Sequence, residues 1–267
     1  MNTTHHQDHT GHAGHGGHHA GHAGHDAHAG PAGLQSSQDG YTLALETTAL
    51  PEGTATELRF RLLGSDGRPV ADLTPLHDEL VHLIVVRRDL TRFLHVHPVQ
   101  ADDGTWSVRV TLPEPGAYRV FADFAPAALG RTLTLGADLA AGDGPGPVRE
   151  LPAPAAAVAV DGREVTLTGE PAAGEGRRLE FAVARDGRPV TDLQPYLAAY
   201  GHLVALRLDD LAYVHVHPDG APGDGTTGPG PVVAFHAQVP GPGTYRLFLD
   251  FKHEDTVRTA AFTRVVR

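Results

Sequence analysis

Histidine is the residue type through which this sequence could do chemistry. The chain of 267 residues has 19 histidines, no cysteine, and Met1 as its one methionine. A metal ion bound here would therefore have nitrogen and oxygen ligands, which disfavours Cu(I) and suits the divalent ions Cu²⁺, Zn²⁺ and Ni²⁺. The sequence does not rank these ions, because affinity follows the same order at most sites.

Six of the histidines lie at equal spacing in two parts of the chain. His82 returns as His202, and the His-Val-His-Pro segment that starts at His95 returns at His215, each 120 residues later. Because several motifs repeat in the same order, they indicate a tandem duplication of whole domains. The other repeated segments are 66–73 with 186–193, and 115–124 with 242–251.

The repeated histidines are predicted to converge on one face of a hairpin. Residues 80–87 and 92–97 are predicted strands around a turn at 88–91, which places His82 opposite His97. His95 shares their face because side chains alternate along a strand, and all three come within reach of one ion. A carboxylate on the same outer face of a later strand, Asp123, is a fourth candidate. The predicted metal ligands are His82, His95, His97 and Asp123, with their counterparts His202, His215, His217 and Asp250.

A separate group of ten histidines lies near the N-terminus among Gly, Ala and Asp. Such a segment has little to bury, so we expect it to be disordered and to bind several divalent ions weakly. Its irregular spacing argues against an artificial tag. These residues are His5, His6, His9, His12, His15, His18, His19, His22, His25 and His28.

The rest of the chain has the residue pattern of an all-β protein. Short runs of Val, Leu, Thr, Phe and Tyr alternate with Gly, Pro and Asp turns, which predicts two tandem Ig-like or cupredoxin-like β-sandwich domains behind the His-rich tail. Tyr118 and Tyr245 follow Pro-Gly turns as in the tyrosine corner of Ig folds. The predicted boundaries are a tail at 1–38, a first sandwich at 39–140, a Gly/Pro/Ala linker at 141–157 and a second sandwich at 158–267.

Charge and hydropathy exclude some partners. Lys plus Arg total 21 against 32 for Asp plus Glu, a net charge of −11, which disfavours nucleic-acid and anionic-membrane binding. No stretch has the length of a membrane span or the layout of a secretory signal, which predicts a cytoplasmic protein. The expected partners are metal ions and, through the histidine faces, the two domains themselves.

The segments 82–86, 93–98 and 115–124 resemble a group of bacterial, often actinobacterial, heavy-metal-binding or secreted proteins. The resemblance covers both predicted domains but not the tail. It implies metal handling, and it implies a location in the cell envelope or outside the cell as the alternative to the cytoplasm.

Three functions follow from these patterns. The first is a divalent metal-binding protein for buffering, chaperoning or resistance, with no catalytic residues and no organic cofactor. The second is a metal-free interaction module whose histidines join the two domains. The third is a bicupin-like metalloenzyme, for which His95 and His97 provide the first ligands but the expected Glu is missing from residues 98–102.

Overall fold

The computed structural model describes residues 31–267, and in that range the chain forms β-strands and no helix. Branched and aromatic side chains between frequent turn residues favour this structure. The first unit contains β1 (Ser37–Gln38), β2 (Tyr41–Leu45), β3 (Ala49–Leu50), β4 (Thr56–Leu63), β5 (Leu73–Thr74), β6 (Val81–Arg87), β7 (Phe93–Val96), β8 (Val99–Gln100), β9 (Trp106–Val110), β10 (Gly116–Pro126) and β11 (Leu133–Ala141). The second unit contains β12 (Ala157–Val160), β13 (Arg163–Thr168), β14 (Gly176–Arg185), β15 (Arg188–Pro189), β16 (His202–Arg207), β17 (Tyr213–Pro218), β18 (Val232–Gln238), β19 (Gly243–His253) and β20 (Thr256–Val266).

Two separate sheets form the first unit. One has the strand order β1-β2-β4-β9-β8, and the other has the order β3-β11-β10-β6-β7, with β5 paired to β10. The inward faces of both sheets form a core around Phe60, Trp106, Tyr118 and Phe124. In β10, Tyr118, Val120, Ala122 and Phe124 all belong to this core, as the alternation of the sequence predicts.

The second unit has the same layers, but its strands are connected. The order is β12-β13-β14-β18-β17-β16-β19-β20, with β15 paired to β14. The contact between β17 and β18 joins the two layers, which are separate sheets in the first unit. Phe181, Phe235, Tyr245, Phe251 and Phe262 lie in the core between them.

Both units contain a tyrosine corner. The hydroxyl of Tyr118 donates to the carbonyl of Glu114 at 2.8 Å, and that of Tyr245 donates to the carbonyl of Gly241 at 2.8 Å. Each tyrosine lies on the second-to-last strand of its unit, which is where Ig folds place it. The predicted fold class is confirmed: the chain is all-β, with two tandem Ig-like sandwiches.

A third apolar cluster joins the two units through their outer faces. Phe93 stacks on Phe248 with ring centres 4.2 Å apart, and Phe121 packs on Tyr213 at 5.4 Å. Tyr213 is the counterpart of Phe93, and Phe248 is the counterpart of Phe121, so the same pair forms twice from opposite sides. The units are therefore related by an approximate two-fold axis. The buried residues of this interface are Ile84, Val86, Leu90 and Phe121 of the first unit with Val204, Leu206, Leu211, Tyr213 and Phe248 of the second.

The chain enters the fold at this interface. The amide of Tyr213 donates to the carbonyl of Ala32 at 3.0 Å, and the Arg119 guanidinium donates to the carbonyls of Gly33 and Leu34 at 2.8 and 2.7 Å. Residues 32–38, which the sequence analysis assigns to the tail, are part of the folded structure. The predicted tail boundary at residue 38 is thus too late, because residues 32–38 supply backbone hydrogen bonds to both units.

The connection between the units lies against the first unit. Arg87 donates to the carbonyl of Pro147 at 2.5 Å, and the amide of Arg149 donates to Asp89 at 3.2 Å. Both contacts fix the connection on the β6–β7 turn. Among residues 31–267, no helix is long and apolar enough to cross a membrane.

Candidate metal centre

The β6–β7 hairpin positions three of the predicted ligands. Leu83 pairs with Val96 and Ile84 pairs with His95, so the register aligns His82 with His97, as predicted. Leu83 and Val85 face the core of the first unit, while Ile84 and Val86 face the second unit. His82, His95 and His97 lie on this outer face, at the edge of the interface between the units.

The three imidazoles meet at one point. His82 Nδ1 lies 3.0 Å from His95 Nε2, and His97 Nε2 lies 3.2 Å from His82 Nδ1 and 3.3 Å from His95 Nε2. Three nitrogens bound to one tetrahedral ion at 2.0–2.1 Å are about 3.3–3.4 Å apart. The observed triangle is close to that size, and these three residues form a group of potential ligands in the described part of the chain. We call this group the histidine triad.

The outward nitrogens of two triad members are already engaged. His82 Nε2 donates to the carbonyl of Leu76 at 2.8 Å, and His95 Nδ1 donates to Asp250 Oδ2 at 2.8 Å. A carbonyl or an ionised carboxylate only accepts hydrogen bonds, so each partner fixes the proton on the nitrogen it contacts. The nitrogens that point into the triad, His82 Nδ1 and His95 Nε2, therefore present lone pairs.

This arrangement creates an electrostatic conflict in the absence of a cation. Neither His82 Nδ1 nor His95 Nε2 carries a proton when both imidazoles are neutral, so these two nitrogens cannot form a hydrogen bond with each other. Their contact is nevertheless the shortest of the three, at 3.0 Å. A proton on His97 Nε2 can serve one of the two lone pairs. A metal ion would serve all three nitrogens at once.

Burial keeps two members of the triad, His82 and His97, neutral. It lowers the pKa of His82 to about 4 and that of His97 to about 3, and repulsion between the imidazolium forms lowers both further. For His82, the hydrogen bond to Leu76 opposes the shift. Because a metal ligand must be unprotonated, a low pKa makes the imidazoles available as ligands at neutral pH.

The predicted carboxylates are placed differently from the expectation. Asp250, predicted as a ligand of the second unit, accepts the hydrogen bond from His95 of the first unit, and Thr259 donates to its other oxygen at 2.5 Å. Asp123 accepts from Thr134 at 2.8 Å and lies beside the backbone of His82, outside the triad. Asp250 is therefore an outer partner that orients His95, because the two units pack face to face.

A family model matches each of the two units. It is described as a domain of unknown function, DUF8832, and it covers residues 36–140 and residues 157–267. The chain belongs to the DUF8832 family. That description contains no metal, so the implied metal handling stays a prediction.

Several solved structures are similar to this chain at low identity. FdeC, an adhesin of Escherichia coli, is 15% identical, with 86% of this chain and 65% of that chain covered and a TM-score of 0.27. A Salmonella alpha-2-macroglobulin variant is 14% identical over 91% of this chain and 15% of that chain, with a TM-score of 0.29. Invasin, a bacterial integrin-binding protein, is 14% identical over 85% and 40%, with a TM-score of 0.24. The chain spans less than two thirds of each; among curated proteins there is no match.

The second DUF8832 unit repeats the hairpin of the first. Leu203 pairs with Val216 and Val204 pairs with the backbone of His215, which is the register of β6 and β7. His202 Nε2 donates to the carbonyl of Tyr196 at 2.9 Å, as His82 does to Leu76. The side chains of His215 and His217 lie outside the described part of the structure, as do the ten tail histidines.

Three other histidines have no counterpart in the other repeat, so the repeat did not indicate where they would lie. The ring of His77 is 5.1 Å from that of His202 and 6.2 Å from that of His82, so it joins the interface from the DUF8832 unit opposite His202. Its place in the turn just before β6 was the available signal. His253 is buried against Arg163 and Asp192. His236 is exposed and contacts Asp219.

Proposed function

We propose that this protein binds a divalent transition-metal ion, Zn²⁺, Cu²⁺ or Ni²⁺, through His82 Nδ1, His95 Nε2 and His97 Nε2. The observation that carries the proposal is the 3.0 Å contact between two nitrogens that both present lone pairs. The contacts from Leu76 and Asp250 support it, because metal-bound imidazoles commonly donate their other N–H to a carbonyl or a carboxylate. The three nitrogens leave a fourth coordination position for water or another group.

The His-rich N-terminal segment fits this function as a collector. Its ten histidines offer many weak and interchangeable sites, whereas the triad offers one arrangement in which the tautomers of His82 and His95 are fixed. A protein with both features would buffer, deliver or sequester metal ions. Either compartment, the cytoplasm or the cell envelope, suits this role, and fractionation of producing cells followed by immunoblotting distinguishes them.

The test is calorimetric titration with Zn²⁺ and with Cu²⁺, using the full chain with its ten tail histidines replaced by serine. We expect saturable binding that weakens by at least about 100-fold in the His95→Ala/His97→Ala variant, since losing ligands costs more than losing an outer partner. The matched control is His236→Ala, which removes an exposed imidazole outside the triad and leaves binding unchanged. Equal binding by the double variant and its parent would refute the triad as the site.

A metal-free interaction module is the second candidate, and the interface favours it. The stacked pair Phe93 and Phe248 and the buried cluster around it can join the units without an ion. In that case EDTA would leave the melting temperature unchanged, and the parent chain would bind no ion in the titration. A rise of the melting temperature with Zn²⁺ that is lost in the His95→Ala/His97→Ala variant would support metal binding instead.

A further inference from the structure

We propose that the aromatic ring of Tyr196, a residue of the second unit, covers the solvent side of the histidine triad and controls how fast an ion enters and leaves. This inference rests on the proposed function, because it assumes that the triad binds an ion. It goes beyond that function by giving the second unit a kinetic role at a site whose three histidines all belong to the first.

The side of the triad that is open to solvent is the side of His97. His82 is 5% exposed and the side chain of His95 is 6% exposed, whereas His97 is half-buried. Leu76 and Asp250 occupy the outward nitrogens of the first two rings. Among the described residues, none forms a hydrogen bond with His97 Nδ1, so an ion reaches the inward nitrogens past His97.

The ring of Tyr196 lies on this side. Its centre is 6.3 Å from that of His97, with 68° between the two planes, and 5.8 Å from that of His202. Rings at such distances and angles are in edge-to-face contact. Burial and, to a smaller extent, the charge of Asp250 raise the pKa of this phenol to about 12. The phenol is thus withdrawn from water, close to the carboxylate that holds His95.

A tight turn fixes the backbone of Tyr196. Its amide donates to the carbonyl of Ala199 at 2.8 Å, and the amide of Ala199 donates back at 3.2 Å. Leu197 and Ala198 between them have φ values of 52° and 57°, as in a two-residue turn of type I′. The carbonyl of Tyr196 also accepts from His202. Rotation of the side chain therefore opens the cover, while the backbone stays in place.

The first unit has the same turn with a different side chain at this position. Leu76 lies 120 residues before Tyr196, and its carbonyl accepts from His82 as that of Tyr196 accepts from His202. A leucine is thus compatible with the turn and with the histidine that the turn holds. Replacing Tyr196 by leucine therefore removes the aromatic ring and keeps a backbone that the fold already contains.

A cover of this kind changes rates and leaves the equilibrium unchanged. Tyr196 is not a member of the triad, so its ring obstructs the same path for an ion that enters and for one that leaves. Removing the ring lowers both barriers equally, and the dissociation constant, which is the ratio of the two rate constants, stays the same. A residue that orients a ligand, as Asp250 orients His95, would alter the affinity instead.

The experiment follows Co²⁺ binding by stopped-flow absorbance, using the full chain with its ten tail histidines replaced by serine. The visible bands of bound Co²⁺ report occupancy, and excess EDTA drives release at a rate that must not depend on the EDTA concentration. We expect Tyr196→Ala to raise both rate constants by about 10-fold or more, with a dissociation constant within about threefold of the parent's. Tyr196→Leu should give intermediate rates. Tyr196→Phe, which keeps the ring, and the control His236→Ala should match the parent.

The other outcomes separate the two proposals. Unchanged rate constants in Tyr196→Ala and Tyr196→Leu would overturn the cover and leave the triad proposal intact. Faster release with unchanged association would also overturn the cover, because it would mean that Tyr196 stabilises the bound ion. Absence of saturable Co²⁺ binding in the parent chain would overturn both. Circular dichroism checks each variant, and if Tyr196→Ala does not fold, Tyr196→Leu decides the question.

Discussion

The two units share a hairpin but differ in how the chain leaves it. In the first unit, β7 ends at Val96, and β8 begins at Val99 in the opposite sheet, so the path breaks at His97 and Pro98. In the second unit, β17 continues through Pro218 and pairs directly with β18. Duplication thus preserved the hairpin register, which gives His82 and His202 equivalent positions, while the sheet corner beyond the hairpin diverged.

This difference has a consequence for the histidines at the corner. The break lets His97 turn its Nε2 towards His82 and His95, because no neighbouring strand pairs with its backbone. In the second unit the backbone of His217 pairs with that of His236. The same His-Val-His-Pro motif therefore has different backbone pairing in the two units. The strongest test of the comparison is to change a residue of the interface that both units share.

The largest expected effect comes from removing a side chain that both units bury. Phe121 is fully buried and packs on Tyr213, so Phe121→Ala leaves a cavity in the interface and should lower the free energy of unfolding by about 3–5 kcal/mol. Urea unfolding measures it. Val99→Ala, at a residue that is 70% exposed, should stay within about 0.5 kcal/mol of the parent. Equal effects of the two substitutions would mean that the units do not share this interface.

A smaller effect should follow from Asp250→Asn, which sharpens the comparison because Asp250 belongs to one unit and its histidine partner to the other. The amide can present an N–H to His95 Nδ1, which removes the fixed tautomer, so affinity for Zn²⁺ should fall about 10–100-fold. Competition with a chromophoric chelator measures the change. Asp192→Asn alters an exposed carboxylate beside His253 and should leave affinity unchanged; a loss in that variant as well would contradict the cross-unit role.

The smallest effect per side chain concerns pH in the metal-free protein. The pKa values of His82, His97 and His202 lie near 3 to 4, below the ordinary value of 6.5, so the unfolded chain takes up protons that the folded chain does not. The free energy of unfolding should be highest above pH 6.5 and should fall as the pH drops towards 4. The expected loss is roughly 1–2 kcal/mol per histidine between pH 7 and pH 5.

Urea unfolding in EDTA at several pH values measures this dependence. His202→Gln, which cannot titrate, should show a shallower decline, and Val99→Ala, which alters an exposed residue without an ionisable group, should keep the parent's slope. Greater stability at pH 5 than at pH 7 would contradict the assignment of these three histidines as buried and neutral.

Much of the hairpin could be predicted from the sequence, because its rules are local. A side-chain period of two and a symmetric turn are sufficient to align His82 with His97, and alternation along β10 is sufficient to separate the core residue Phe124 from the interface residue Phe121. The structure confirms both predictions, and each rule holds in the two units. These features depend on neighbours within about fifteen residues.

The partner of Asp250 could not be predicted in this way. Its contact with His95 spans 155 residues and depends on which faces of the units pack together. The sequence suggested that the histidine faces could pack, but it did not say that a carboxylate of the second unit would accept a hydrogen bond from a histidine of the first. His77 was missed for a related reason, since it has no counterpart in the second unit and its turn became relevant only when His202 approached it.

The covalent connection along residues 142–156 makes this two-fold interface independent of protein concentration. The same face-to-face contact between two free molecules would assemble by a second-order reaction, and it would fall apart on dilution. Joined in one chain, each unit meets its partner at an effective concentration that does not depend on how much protein is present. Affinity for metal should therefore stay constant from nanomolar to millimolar protein, and a trace amount of the protein should be as competent, molecule for molecule, as an abundant one.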